Sequence, residues 1–199
     1  MAAPPRWNAA VAVLRSCRAI LAEREPRRAR ALLEESLALR ERFDIESFAE
    51  VTQATLIAAR LGDWPLTVQL ADRSIRHLQW GAQRSFLAGI FNVVARAIAE
   101  TDSEASARLQ GAARHLAVQI AAARPTAAAA ASLASPAAPP AGSSVITELR
   151  RQTSTLLRSV LDEERLHQLR AEGEAMDSDK AAAYALDAIA RVPQNDAQR

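Results

Sequence analysis

Apolar residues recur every three or four positions along most of this chain, and no segment alternates with the period of two that a strand would show. The pattern predicts helices over about residues 7–23, 27–43, 45–61, 64–79, 83–100, 103–123, 145–161, 163–172 and 178–192. The most apolar face, on the helix over 83–100, comprises Phe86, Leu87, Ile90, Phe91, Val94 and Ile98. We therefore expect an all-α protein with this helix at its centre.

Residues 29–99 are predicted to contain two copies of one helical hairpin. A shift of 38 positions places Leu33 on Ala71 and Ser36 on Ser74, and the next shift places Ala112 on Ser74. Self-similarity near this period is typical of helix-pair solenoids, and the unit resembles a tetratricopeptide repeat that is slightly longer than the usual 34 residues. We predict a tetratricopeptide-like solenoid of about three hairpins with C-terminal capping helices.

The ends of several predicted helices are marked by residues with suitable backbone chemistry. Gly62 suits a left-handed helix C-terminus, and the carboxylate of Asp63 can accept from the free amides of the next helix. Gly173 is predicted to end the helix over 163–172, after which Asp177 or Ser178 would cap the last helix.

Composition divides the chain into four parts. Residues 1–123 form the predicted repeat region, and residues 145–193 form helices that complete the same array. Between them, residues 124–144 are rich in Ala and Pro and offer little to bury, so they are predicted to be a low-complexity linker or loop. Residues 194–199 are a polar tail that we expect to fray.

The charge pattern argues against direct nucleic-acid binding and against a membrane segment. All 25 basic residues except Lys180 are arginine, yet acids and bases alternate along the helices and the net charge is only +2. A nucleic-acid binder would concentrate its positive charge on one face. The lone Cys17 excludes an internal disulfide, and the N-terminal region lacks the apolar run of a signal peptide. We predict a cytoplasmic protein.

The sequence shows no constellation that would carry catalysis. His77, His115 and His167 lie on different predicted helices, without the spacing of a metal site. Adjacent carboxylates such as Glu34 and Glu35 point to different faces of a helix, so they cannot converge as an acid–base pair. No GxxxxGK[ST] phosphate loop is present. We therefore predict no catalytic, cofactor-binding or metal-binding residue, and no enzyme.

A partner-binding face can still be suggested, because repeat proteins bind through extended surfaces. The candidate residues are Arg40, Trp64, Arg73, Arg76, Trp80 and Phe91. The simpler interpretation, which we favour for the three aromatic residues, is that each ring seals a hairpin junction.

Two further segments resemble a known class of regulator. They are Ala107–Ala113 (ARLQGAA) and residues 161–186, which contain AEGEAMDSDKA followed by YAL. In that order they resemble the C-terminal end of large actinobacterial regulators. Those regulators carry a signal-transduction ATPase module before a helical repeat region, often with an adenylyl cyclase or helix-turn-helix DNA-binding domain elsewhere. This sequence has Leu169-Arg170 where the family pattern places a tryptophan, and no catalytic core or helix-turn-helix segment.

The resemblance implies a non-enzymatic helical-repeat scaffold for protein interaction or interdomain signalling in a bacterial regulatory system. The alternative is a fragment of a larger ATPase, adenylyl cyclase or transcriptional regulator whose other domains lie outside this chain. The expected partner is another protein, an upstream regulatory domain or a second copy of the chain. A partner is expected because the helix over 7–23 would expose an apolar edge, as the second helix of a hairpin that lacks its first.

Overall fold

The computed structural model describes residues 25–43, 48–79, 84–122 and 141–193. Within these ranges the regular elements are eight α-helices and one 3-10 turn, and no strand is present. The helices are α1 (Pro26–Phe43), α2 (Phe48–Arg60), α3 (Trp64–Leu78), α4 (Leu87–Ile98), α5 (Ser103–Ala122), α6 (Ala141–Val160), α7 (Glu163–Glu174) and α8 (Ser178–Ala190), with the 3-10 turn at Arg84–Phe86. The prediction of an all-α protein is confirmed.

The chain divides into two compact units, Met1–Ser74 and Ile75–Arg199, whose boundary lies within α3. The core of the first unit is the buried cluster Ala29, Leu33, Val51, Ala54, Ile57, Ala58 and Leu70. Within this unit α2 and α3 are joined by a buried hydroxyl pair, Thr55 Oγ1 and Ser74 Oγ at 3.1 Å. Because Thr55 donates its one hydroxyl proton to the Val51 carbonyl oxygen at 2.7 Å, Ser74 is the donor in this pair.

The turn between α2 and α3 has the predicted chemistry. Gly62 adopts a φ of 71°, a left-handed conformation that costs glycine little. Asp63 serves two helices at once: Oδ1 accepts from the Leu66 amide at 3.2 Å, and Oδ2 accepts from Arg30 of α1 at 2.7 Å. The carboxylate therefore caps α3 and ties it to α1.

The second unit is organised around α5, which contacts α4, α6, α7 and α8. Helix α4 is the most thoroughly buried neighbour, as its apolar face predicts, and its buried residues include Leu87, Ile90, Phe91, Val94 and Ile98. Asp102 caps α5 by accepting from the Ala105 amide at 2.9 Å, and Ser106 Oγ donates to the Ala95 carbonyl of α4 at 2.6 Å. These contacts hold α4 and α5 together at the point where they meet.

Two local predictions were wrong. Phe86 was placed on the buried face of its helix, but it lies in the 3-10 turn before α4, and half of its surface (50%) is exposed. Gly173 does not end its helix, because α7 continues to Glu174 and the glycine is buried against α5. The predicted Asp177 cap is present, with the side chain accepting from the Lys180 amide at 2.8 Å.

Several predictions fall outside the described residues: the helix over 7–23 with Cys17, the Trp80-Gly81 junction, most of the Ala/Pro-rich tract and the tail 194–199. Helix α6 begins at Ala141, four residues before the predicted start of helix at 145. In the part of the chain that is described, no helix is both long enough and apolar enough to cross a membrane.

Candidate functional site

The closest helix contact of the second unit is the crossing of α5 and α7, and two glycines make it. A Cβ atom added to Gly111 would overlap the carbonyl oxygen of Arg170, and one added to Gly173 would overlap the carbonyl oxygen of Arg108. Each helix thus presents a glycine to the backbone of the other. The absence of both side chains is what allows the two backbones to touch.

A charged rim borders this crossing. Glu104 of α5 accepts from Arg165 of α7 at 2.7 and 3.0 Å, and Arg108 of α5 donates to Glu172 of α7 at 2.7 Å. The hydrogen bonds from Arg165 hold the pKa of Glu104 below its ordinary value, with further help from the positive charges of Arg165 and Arg108. In one pair α5 supplies the carboxylate and α7 the arginine, and in the other pair the roles are exchanged. The two pairs together fix the register of the crossing.

Beside the crossing, α5, α6 and α7 border a cavity of about 460 Å³. Its charged and titratable lining consists of Arg114, Arg158, Glu163, His167, Arg170 and Glu174. Its apolar lining is Leu161, Leu166 and Ala171. Three guanidinium groups from three different helices therefore reach one concave surface.

Arg170 is the most enclosed of these cations, and neutral groups hold it in place. Its Nη2 donates to Gln110 Oε1 at 2.6 Å and to Ser154 Oγ at 3.2 Å. Gln110 is itself fixed, because its Nε2 donates to Ser154 Oγ at 3.3 Å and to the Arg150 carbonyl at 3.4 Å. Burial lowers the pKa of Arg170, the neighbouring cations Arg158 and Arg114 lower it further, and the Glu174 carboxylate acts in the opposite direction without cancelling them.

Two arginines of the cavity form no ion pair with the carboxylates that also line it. Glu174 pairs with Arg114 at 3.3 Å. Neither Arg158 nor Arg170 forms an ion pair with any carboxylate of the described residues. Charged groups that leave water are normally paired. Arg158 is exposed to water, so Arg170 is the unusual one: it is partly buried without an ion pair, and the nearby Glu174 carboxylate offsets its charge only in part.

The residues of the predicted partner-binding face have varied environments. Trp64 is half-buried in the first turn of α3, and Arg73 and Arg76 are exposed on the same helix. Phe91 is 0% exposed, so its ring belongs to the core of the second unit and offers no surface to a partner. Arg40 lies in α1, but its side chain is outside the described set, as is the whole of Trp80.

The three histidines do not converge. His77 is exposed on α3, His115 of α5 lies 2.8 Å from Gln119 of the same helix, and His167 lines the cavity. Within the described ranges, no group of three or more His, Cys, Asp or Glu side chains is placed to hold a metal ion.

Sequence reasoning missed the cavity because its residues come from segments far apart in the chain. Arg114, Arg158 and Arg170 each look like ordinary solvated arginines on an amphipathic helix. Gly111 and Gly173 were the available signal in the sequence. A glycine in the interior of a helix lowers helix stability by about 1 kcal/mol relative to alanine, so its presence there often indicates a close packing contact. Recognising both as contact residues would have brought α5 against α7.

The fold also brings together the two segments that resemble bacterial regulators. Residues 107–113 lie in α5, residues 161–186 span α7 and most of α8, and α5 contacts both helices. No family model, curated protein or solved structure matches the chain. Function therefore has to be argued from the geometry of the chain itself.

Proposed function

We propose that this chain is a non-enzymatic, tetratricopeptide-like helical-repeat scaffold that binds a protein partner or passes a signal between domains of a bacterial regulatory system. The proposal is supported by the spacing of three helices and by burial at three sets of positions that the same spacing relates. Helices α1, α3 and α5 begin at Pro26, Trp64 and Ser103, which are 38 and 39 residues apart.

Three sets of equivalent positions are buried in all three helices. The sets related by 38 residues are Ala29, Thr67 and Ala105; Leu33, Ala71 and Leu109; and Ser36, Ser74 and Ala112, all buried. The third set contains only small side chains, which let a neighbouring helix approach closely. Repetition of the same buried pattern is what a repeat architecture requires, because each unit buries its apolar face against similar neighbours.

Two exposed positions of α1 carry different residues at the equivalent places in α3, which supports a role in recognition. Glu35 of α1 corresponds to Arg73 of α3, and Ala38 corresponds to Arg76, and all four are exposed. A constant interior with a changing surface is how repeat proteins present different contacts on one scaffold. Arg73 and Arg76 supply a positive patch on α3 that would suit an acidic segment of a partner protein.

Affinity capture with charge-reversed baits tests this proposal. The wild-type chain, Arg73→Glu/Arg76→Glu and a matched control, Arg27→Glu/Arg28→Glu, would be immobilised and exposed to extract of the source bacterium. The control makes the same change in net charge at two exposed arginines of α1. We expect the wild type and the control to retain the same protein and the α3 variant to lose it. Retention of no specific protein, or equal retention by all three baits, would contradict the proposal.

The second candidate, a fragment of a larger ATPase, adenylyl cyclase or transcriptional regulator, is supported by the contact between the two regulator-like segments in α5 and α7–α8. Sequencing the genomic region upstream of this chain would test it. A continuous reading frame that encodes a phosphate loop or a cyclase core favours the fragment. A separate, independently translated gene argues for the scaffold acting alone.

A further inference from the structure

Arg170 of α7 is held in an unusual way for a partly buried cation. Its hydrogen bonds go to the neutral oxygens of Gln110 and Ser154, while no carboxylate of the described residues pairs with it. Two nearby cations, Arg158 and Arg114, make this position still less favourable for a positive charge, and the carboxylate of Glu174 offsets this only in part. Removing a charge from water without a counter-charge costs stability, and bringing like charges together adds to that cost. The arrangement is explained if an anion occupies the cavity.

We propose that the cavity between α5, α6 and α7 binds a small organic phosphate. Its phosphate group lies between the guanidinium groups of Arg158 and Arg170, and its organic part lies against Leu161 and Leu166. This binding is separate from the partner-protein role and does not depend on it.

The number and shape of the donors favour a phosphate over a carboxylate. Arg158 and Arg170 come from different helices, so each presents its planar fork of N–H donors from its own direction. A carboxylate has two oxygens and is satisfied by one fork, whereas a phosphate monoester offers three oxygens and close to two negative charges. The imidazole of His167 on the same wall can supply a further hydrogen bond.

Size and surrounding charge favour a small organic molecule over an inorganic ion or a nucleic acid. A volume of about 460 Å³ exceeds what a bare phosphate fills and lies within the range of small-molecule sites. Leu161 and Leu166 give this space an apolar wall. The carboxylates of Glu163 and Glu174 also line the cavity, and they would repel the successive phosphates of a polynucleotide.

Calorimetric titration of the full chain with three probes tests the assignment: phenyl phosphate, inorganic phosphate and benzoate. Phenyl phosphate carries both the phosphate and an apolar group, and each of the other probes lacks one feature. We expect saturable binding of phenyl phosphate that is tighter than that of inorganic phosphate and at least several-fold tighter than that of benzoate. Absence of saturable binding, or benzoate binding equal to that of phenyl phosphate, overturns the proposal.

Variants of exposed arginines locate the binding. Arg158→Ala should weaken phenyl phosphate binding roughly tenfold or more, since a hydrogen bond between charged groups is lost. The matched control, Arg151→Ala, removes an exposed arginine of the same helix that pairs with Glu148 at 2.7 Å, and it should leave the affinity unchanged. Arg170 is unsuitable as the first variant because it also joins α7 to α6. Equal affinities of Arg158→Ala and the wild type, or equal losses in the two variants, refute the site.

Titration with a single-stranded oligonucleotide tests whether the ligand is a polynucleotide and not a small organic phosphate. If it binds more tightly than phenyl phosphate and depends on Arg158, the ligand is a polynucleotide and the assignment to a small organic phosphate fails. If it does not compete with phenyl phosphate at low salt, the assignment is supported, because electrostatic binding of a polyanion would be strongest under those conditions.

Discussion

Replacing either glycine of the α5–α7 crossing by alanine should destabilise the second unit markedly. In Gly111→Ala the new Cβ would overlap the Arg170 carbonyl oxygen, and in Gly173→Ala it would overlap the Arg108 carbonyl oxygen. Neither obstacle is a side chain that can rotate away, so the backbones must separate by roughly 1.5 Å to regain ordinary van der Waals distance. That separation would loosen the cluster formed by Ala107, Leu157, Leu166 and Leu169.

The magnitude follows from two opposed effects. Alanine favours the helix over glycine by about 1 kcal/mol at each site. Overpacking typically costs 1–3 kcal/mol, and here we expect a cost of about 3–4 kcal/mol because rigid backbone, and not a side chain, must move. The net loss is about 2–3 kcal/mol per substitution, which should lower Tm by roughly 6–9 °C for a unit of this size. Thermal unfolding followed by circular dichroism, with urea unfolding for the free energy, measures both quantities.

Gly89→Ala is the matched control, since it also places an alanine in a helix of the same unit. Its Cβ would contact only the side chain of Ile146, with Cδ1 at 2.9 Å, and the end of that side chain can move. Its stability should stay within about 1 kcal/mol of wild type. The double variant Gly111→Ala/Gly173→Ala should lose less than the sum of the single losses, because one separation of the helices relieves both overlaps. Stability of the single variants equal to that of Gly89→Ala would refute this reasoning.

Two further predictions concern polar groups. Ser36 is fully buried with no hydrogen-bond partner among the described residues, so Ser36→Ala should leave the free energy of unfolding unchanged or raise it by up to about 1 kcal/mol. Ser106→Ala, which removes the 2.6 Å hydrogen bond to Ala95, should lower the free energy of unfolding by about 1 kcal/mol. A larger loss in Ser36→Ala than in Ser106→Ala would contradict the conclusion that the Ser36 hydroxyl makes no stabilising hydrogen bond. The pKa of Glu104 is lowered in the folded chain, chiefly by the hydrogen bonds from Arg165. The ionised Glu104 should therefore stabilise the fold fully above the unfolded pKa of about 4.3. This stabilisation should disappear as the pH falls through the lower pKa of the folded chain. The difference in stability between wild type and Glu104→Gln, measured by urea unfolding from pH 7 to pH 3, should therefore shrink in acid, and a constant difference would show that the ion pair does not contribute.

Periodicity was sufficient to predict the helices because each buries one apolar stripe, and local capping chemistry was sufficient at Gly62, Asp63 and Asp177. Local sequence reasoning failed at Gly173, because a glycine can either end a helix or allow another helix to approach closely. Gly173 was read as a helix end, since glycine is common there, but its use is close approach to α5. Nothing local distinguishes these two uses, because the obstacle to a side chain at Gly173 is the backbone carbonyl of Arg108, which lies on another helix 65 positions earlier in the chain.

The same limitation hid the cavity, whose arginines are charged and lie on mainly polar faces of their helices. An arginine on such a face has the same local pattern whether it meets water or converges with two others. Only the packing of α5, α6 and α7 makes Arg114, Arg158 and Arg170 neighbours. The predicted arginines of α1 and α3 were selected because they lie on the first helix of each predicted hairpin, which does not identify side chains that converge.

The glycine crossing and the cavity depend on each other through consecutive residues of α5. Gly111 receives the backbone of Arg170, and Gln110 receives its guanidinium at 2.6 Å, so both ends of this arginine are held by one short stretch of one helix. A side chain fixed at its Cα and at its tip has lost most of its rotamer freedom during folding, and an anion that binds it need not supply that ordering cost again. The close approach of α5 and α7 therefore does more than fill the core. It places a partly buried cation in one orientation at the wall of the cavity, which is the preorganisation that tight recognition of a phosphate group requires.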